Sequence, residues 1–391
     1  TAKTTRWTAT VPGFWSNAAN WSDGVPSGTA DTAEFVAAGN GASTQDIPGL
    51  TLAALTMDVV GNYPGTLTIA STLTVSGGAN LEGTVAVNAT TNVQGALNND
   101  AATTVAVGIT LDLDGTIAGA GSLLGAGNVD ASSAGAITFT SMTVTLTTPS
   151  LFRLNGVAAQ SIAVNGLGDA FFGFTVANAA GGTITGGILN VDGTLTLGTG
   201  GLILQAAGAD VQGGLTVTAG TLVGNGGTLA VGGNVSLAGA GSVNLTGVAT
   251  ALALDGAGAQ SVTQAGASFG AVTISAGGTT TWLDALTSAT SLSLTGGNAT
   301  LNVAGGTITG NLTASSAGVF TPGNGTLNVG GNVNFTGGNL TAGTGTINLN
   351  GAAQTVTSAG ETFATLTLNN TSTGLLDVAA AGTLTLTGGT A

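Results

Sequence analysis

From about residue 50 onward the chain repeats one pattern, a run of three or four residues in which apolar and polar side chains alternate, followed by a turn. Thr66-Leu-Thr-Ile69, Thr72-Leu-Thr-Val75, Thr194-Leu-Thr-Leu197, Leu215-Thr-Val217, Leu327-Asn-Val329, Leu366-Thr-Leu368 and Thr383-Leu-Thr-Leu386 are examples. Apolar residues at every second position mark a strand with one buried and one exposed face. Helical spacing is nowhere sustained. Gly-Gly, Asn-Gly and Gly-Asn pairs punctuate the runs and supply the residues that tight corners require. The pattern predicts an all-β chain.

A longer repeat narrows the architecture. Leu154-Asn-Gly-Val-Ala-Ala-Gln160 recurs as Leu254-Asp-Gly-Ala-Gly-Ala-Gln260 and as Leu349-Asn-Gly-Ala-Ala-Gln354, with Gly156, Gly256 and Gly351 at the centres. Each copy continues with an aromatic (Phe171 and Phe172, Phe269, Phe363) and two more alternating runs. Short strands, few prolines beyond Pro64 and no linkers favour a parallel β-solenoid, a right-handed β-helix, over an array of β-sandwiches with longer strands and looser boundaries. With coils of about 20 to 25 residues stacked at ~4.8 Å, the chain makes about 15 of them. The expected organisation is a cap segment at residues 1–36, a first solenoid section at 37–153, repeat units at 154–253 and 254–348, and an incomplete third unit at 349–391.

Composition changes the picture in three ways. Charged residues are 5% and hydrophobic residues 43% of the chain, which departs from the polar, highly charged signature of disorder. Apolar runs are interrupted too often for a transmembrane helix, so membrane insertion is not expected. The net charge of −14 rests on 17 acids against Lys3, Arg6 and Arg153 alone, and a chain without clustered cations is not expected to bind nucleic acid. Trypsin has only those three cations to cut at. The chain has no Cys and begins at Thr1, the expected look of an exported protein whose leader has been removed.

Candidate chemistry is sparse. Catalysis by a general base or paired carboxylates needs partners that a chain with no His and a single cation beyond residue 6 hardly supplies. Asp112 and Asp114 form the closest carboxylate pair and are expected to be solvated beside a turn. Gly125-Ala-Gly-Asn-Val-Asp130 is a lone, imperfect match to glycine-rich calcium loops. The sequence therefore points to no enzyme, no metal and no cofactor. Thr-x-Thr runs suit exposed strand faces, and their irregular spacing argues against an ice-binding array. Gln160, Gln260 and Gln354 are expected to satisfy backbone groups at corners. Trp282 is the best candidate for an exposed glycan contact, but core or loop packing is the expected role.

One stretch stands apart. Trp15-x4-Asn20-Trp21-Ser22-x-Gly24-x-Pro26-x4-Asp31-x-Ala33-x-Phe35 resembles the opening segment of bacterial autotransporter-type passenger domains and related secreted surface repeat proteins. That resemblance implies a right-handed β-helix at the cell surface with no defined activity. No membrane barrel pattern follows it here. Trp7, Trp15, Trp21, Pro26 and Phe35 supply the bulk of an N-terminal cap, which solenoids use to cover their first coil. The third unit stops mid-pattern, and Leu384 and Leu386 are expected at an open last coil. Docking of such an end on the front of another copy would propagate a filament. The expected function is an extracellular structural subunit of the bacterial cell surface or matrix that stacks head to tail with itself; the alternative is a monomeric adhesin that binds a cell-surface glycan.

Overall fold

The computed structural model describes residues 1–57, 63–132, 136–205, 208–237, 243–245, 251–275, 277–301, 305–315, 318–341, 343–352, 354–358, 360–369, 376–378 and 385–386. The chain is a parallel β-solenoid of about 15 turns, with 51% of the described residues in strands and no α-helix among them. Two compact units are present, Thr1–Asp192 with Gly198–Leu202, and Gly193–Leu197 with Ile203–Ala391.

In the first unit the strands stack into three columns, one for each face of the coil. The first column contains Gly13–Phe14, Ser43–Gln45, Leu67–Ile69, Val85–Val87 and Ala102–Val105. The second runs Leu50–Leu52, Leu73–Val75, Thr91–Val93, Thr110–Leu113, Asn128–Ala131 and Leu151–Leu154. The third opens Thr4–Arg6, Thr32–Phe35, Ala54–Met57 and Ala79–Leu81. The strands of these columns pair parallel and in register, so inward side chains stack on inward ones. Leu67, Val85 and Thr103 share one row. The alternating pattern becomes geometry directly: strands such as Leu73–Val75 bury their outer residues and leave the middle one half-buried.

The second unit repeats the design. One column includes Gly208–Val211, Thr228–Val231 and Ala251–Leu254. A second includes Gln260–Thr263, Thr279–Trp282 and Asn298–Leu301. A third includes Gly305–Ile308, Thr326–Val329, Thr346–Leu349 and Thr365–Leu368. Cores are aliphatic, with local aromatic stacks. Phe139, Phe152, Phe171 and Phe174 sit 5.1–6.0 Å apart in the first unit, and Phe335 lies between Phe320 and Phe363 in the second.

Glycine is needed where coils approach too closely for a side chain. Between the second and third columns Gly77, Gly95 and Gly115 stack, and a Cβ on Gly95 would lie 2.4 Å from the Gly77 backbone. Gly95→Ala is expected to cost roughly 1–3 kcal/mol by overpacking. Gly258→Ala, where a Cβ meets nothing within 4 Å, should stay within about 0.5 kcal/mol of the parent. Urea unfolding midpoints check both.

Candidate functional site

The candidate site is the front of the solenoid, where a parallel ladder has to begin. Sheet edges carry unpaired N–H and C=O groups that recruit other chains unless covered. Strand Thr4–Arg6 is such an edge, since one side pairs with Thr32–Phe35. The chain returns antiparallel across the other side. Ser22 N donates to Arg6 O at 2.9 Å and Thr8 N to Asn20 O at 2.9 Å, and Trp7 bridges Trp21. Arg6 N donates to the Ser22 hydroxyl at 3.1 Å, and the Thr5 hydroxyl donates to Gly24 O.

Each conspicuous residue of the front stretch has a place in this cover. Trp7, Trp15 and Phe35 are fully buried, and Trp21 nearly so. Trp21 meets Trp7 and Trp15 edge-on at 5.2 Å, and Phe35 touches all three and Tyr63. Such pairs are worth about 0.5–1.5 kcal/mol beyond their buried area. Trp7 Nε1 and the Tyr63 hydroxyl both donate to Gly41 O, and Trp21 Nε1 donates to Trp15 O. Asn17 caps the short 3-10 turn Ala18–Asn20, whose last residue donates its amide to Phe14 O at 2.9 Å. Gly24 takes φ +77°, and Pro26 is buried. Asp31 is buried and accepts N–H bonds from Lys3, Ser27 and Gly28. Burial alone would raise its carboxyl, but these N–H groups and the Lys3 charge hold it below the ordinary value.

The front is not covered equally on all faces. The first column starts at Gly13–Phe14 and the third at Thr4–Arg6, but the second starts only at Leu50–Leu52. The stretch from Trp15 to Asp31 occupies the chain where the missing rung belongs, because it is spent on the cap. In front of Leu50–Leu52 a groove of about 300 Å³ remains, walled by Val25, Pro26, Ile47, Pro48, Leu50 and Thr51.

The other residues singled out in the sequence lie apart from this front. Gln160 Nε2 donates to Ala131 O at 2.8 Å, while its carbonyl accepts from Gly156 N and the Asn178 amide. Gln260 donates to Val231 O and Gly233 O, and Gln354 to Val329 O and Gly331 O. Gln260 and Gln354 open strands of different columns. The recurring motif thus marks a kind of corner and not a fixed face. Trp282 is fully buried, so it is a core residue and offers no surface contact. Leu384 lies outside the described residues; Leu386 belongs to a two-residue strand paired with Thr362–Phe363.

Asp112 is not the freely solvated side chain its sequence context suggests. The register stacks Asn92, Asp112, Asp130 and Arg153 in one outward row. Asn92 donates to Asp112 at 3.1 Å, Ser132 to Asp112 and Asp114, and Arg153 pairs with Asp130 at 2.9 Å. This row joins residues from four coils, so only the register reveals it. Burial, then the charges of Asp114 and Asp130, raise the Asp112 carboxyl above its ordinary 3.8. No group of three or more acids placed to hold a metal occurs among the described residues. Comparisons with protein-family models, curated proteins and solved structures found no match to this chain.

The sign of the Asp112 effect follows from linkage. The fold binds the Asp112 proton more tightly than the unfolded chain does, so this contribution is present below pH 3.8 and is lost as pH rises through the raised value. Asp112→Asn should therefore stabilise the protein at about pH 7 by roughly 0.2–1 kcal/mol, the scale of a directly opposed like-charge pair. The gain should vanish below pH 3.8, which urea midpoints at the two pH values check.

Proposed function

We propose that this chain is an extracellular structural protein of the bacterial cell surface or matrix, a non-catalytic β-solenoid subunit that stacks head to tail with copies of itself. The observation that carries the reading is where the chemically capable side chains are spent. All three cations are engaged in holding the fold: Lys3 Nζ on Val25 O and Asp23 O, Arg6 on Glu34, and Arg153 on Asp130. Buried Asp169 accepts the N–H groups of Val144 and Asn165, and Asp284 those of Gln264 and Ala265. These groups join one coil to the next or hold a turn in place, which is the chemistry of a scaffold. Kinship with autotransporter-type passengers is part of this proposal and rests on the Trp15–Phe35 stretch.

One observation favours the adhesin reading as a second. Phe14 and Val11 stand 58% and 66% exposed at the front, an apolar pair of the kind that can stack on a sugar ring. The two readings separate in negative-stain images of the purified protein across a concentration series. Filaments that lengthen with concentration are expected; isolated particles at every concentration would overturn the stacking reading.

A further inference from the structure

The three copies of the glutamine corner treat their central glycine differently, and the difference bears on the chemical stability of the residue before it. In each copy the glutamine Nε2 and the backbone N–H of the residue before glycine share one carbonyl of the preceding coil. That carbonyl is Ala131 O for Asn155 and Gln160, Val231 O for Asp255 and Gln260, and Val329 O for Asn350 and Gln354. The glutamine carbonyl is used in only two of them. Gln160 Oε1 accepts from Gly156 N at 3.2 Å and Gln354 Oε1 from Gly351 N at 2.8 Å. Gln260 Oε1 is buried and takes no hydrogen bond among the described residues. The glutamine thus holds the glycine N–H in the two copies that carry Asn-Gly and not in the one that carries Asp-Gly.

Asn-Gly is a pair prone to lose its side-chain amide, because glycine has no Cβ to obstruct its own nitrogen. The glycine nitrogen attacks Asn Cγ: the N–Cγ bond forms, the Cγ–Nδ2 bond breaks, and the glycine proton leaves with Nδ2 as ammonia. Water then opens the cyclic imide at either C–N bond, giving aspartate or isoaspartate. An N–H held on a carbonyl has to break that bond before its nitrogen can attack, so Gln160 and Gln354 oppose the reaction. Asn324-Gly325 has no such guard. Asn324 is exposed between two glycines, and the Gly325 C=O accepts from Thr346 N while its N–H meets no acceptor among the described residues. We infer that Asn324 is a site of spontaneous deamidation, and that Gln160 and Gln354 hold the same reaction back at Asn155 and Asn350. The product adds a negative charge, and in the isoaspartyl form an extra main-chain carbon, at the corner before strand Thr326–Val329.

Asn324 and Asn350 are both exposed and lie in the same unit, so the parent protein supplies its own comparison. Aliquots of the full chain from a warm, mildly alkaline incubation are digested with pepsin in acid, and tandem mass spectrometry reads the conversion at each site. Asn324 is expected to convert roughly tenfold faster than Asn155 and Asn350, the scale of one hydrogen bond that has to break first. In urea, where the corners are lost, the three sites should convert at similar rates. Gln354→Leu removes the acceptor and should bring Asn350 up to the rate of Asn324. Gln354→Glu loses the amide donations to Val329 O and Gly331 O but keeps an oxygen for Gly351 N, and should leave Asn350 slow. Folded parent in which Asn155 and Asn350 convert as fast as Asn324 overturns the inference. Acceleration at Asn350 in both variants alike, or in neither, overturns the guarding role of the glutamine.

Discussion

The backbone hydrogen bond between parallel rungs is the interaction on which this molecule depends. Each internal strand is only two to five residues long for most of the chain, too short to be stable by itself, and holds its shape because it is bonded on both sides. A buried backbone group left unpaired costs about 1–3 kcal/mol. The ladder is therefore favourable in its interior and costly at its first rung, and the design problem moves to the end of the stack.

The first 35 residues answer that problem with specific chemistry. A return segment gives Arg6 a carbonyl partner in Ser22 N and an amide partner in the Ser22 hydroxyl, and an aromatic cluster fills the space behind it. Committing Trp15 to Asp31 to this task removes those residues from the second column, whose ladder begins a rung later. The cover and the groove are two consequences of one use of chain. In the interior the same economy recurs: glycine stacks permit close coils, and buried glutamines bond the carbonyls that corners strand.

Much of this was legible in the sequence and some was not. Alternation in Leu73-Thr-Val75 and its many relatives states which residue faces inward, and the fold class follows from that alone. The Trp15–Phe35 stretch stood out by composition, since two of the chain's four tryptophans lie in it. Trp282, an isolated aromatic with no period to show its side, reads first as a core or loop-packing residue and only second as a surface contact; it is core, on a strand that stacks on Gln260–Thr263. The Asn92–Asp112–Asp130–Arg153 row was invisible because coils vary in length, from 18 residues between Leu67 and Val85 to 30 between Gly13 and Ser43, so sequence spacing does not reveal spatial neighbours. The late start of the second column was hidden for the same reason.

The central claim is that the front edge is closed at Thr4–Arg6 and open at Leu50–Leu52. Residue-resolved hydrogen exchange on dilute, unassociated protein tests it most directly. The account predicts slow exchange at the Arg6 and Thr8 amides, held by Ser22 and Asn20, beside fast exchange at the Thr51 amide. Rapid exchange at Arg6 together with protection at Thr51 would contradict it.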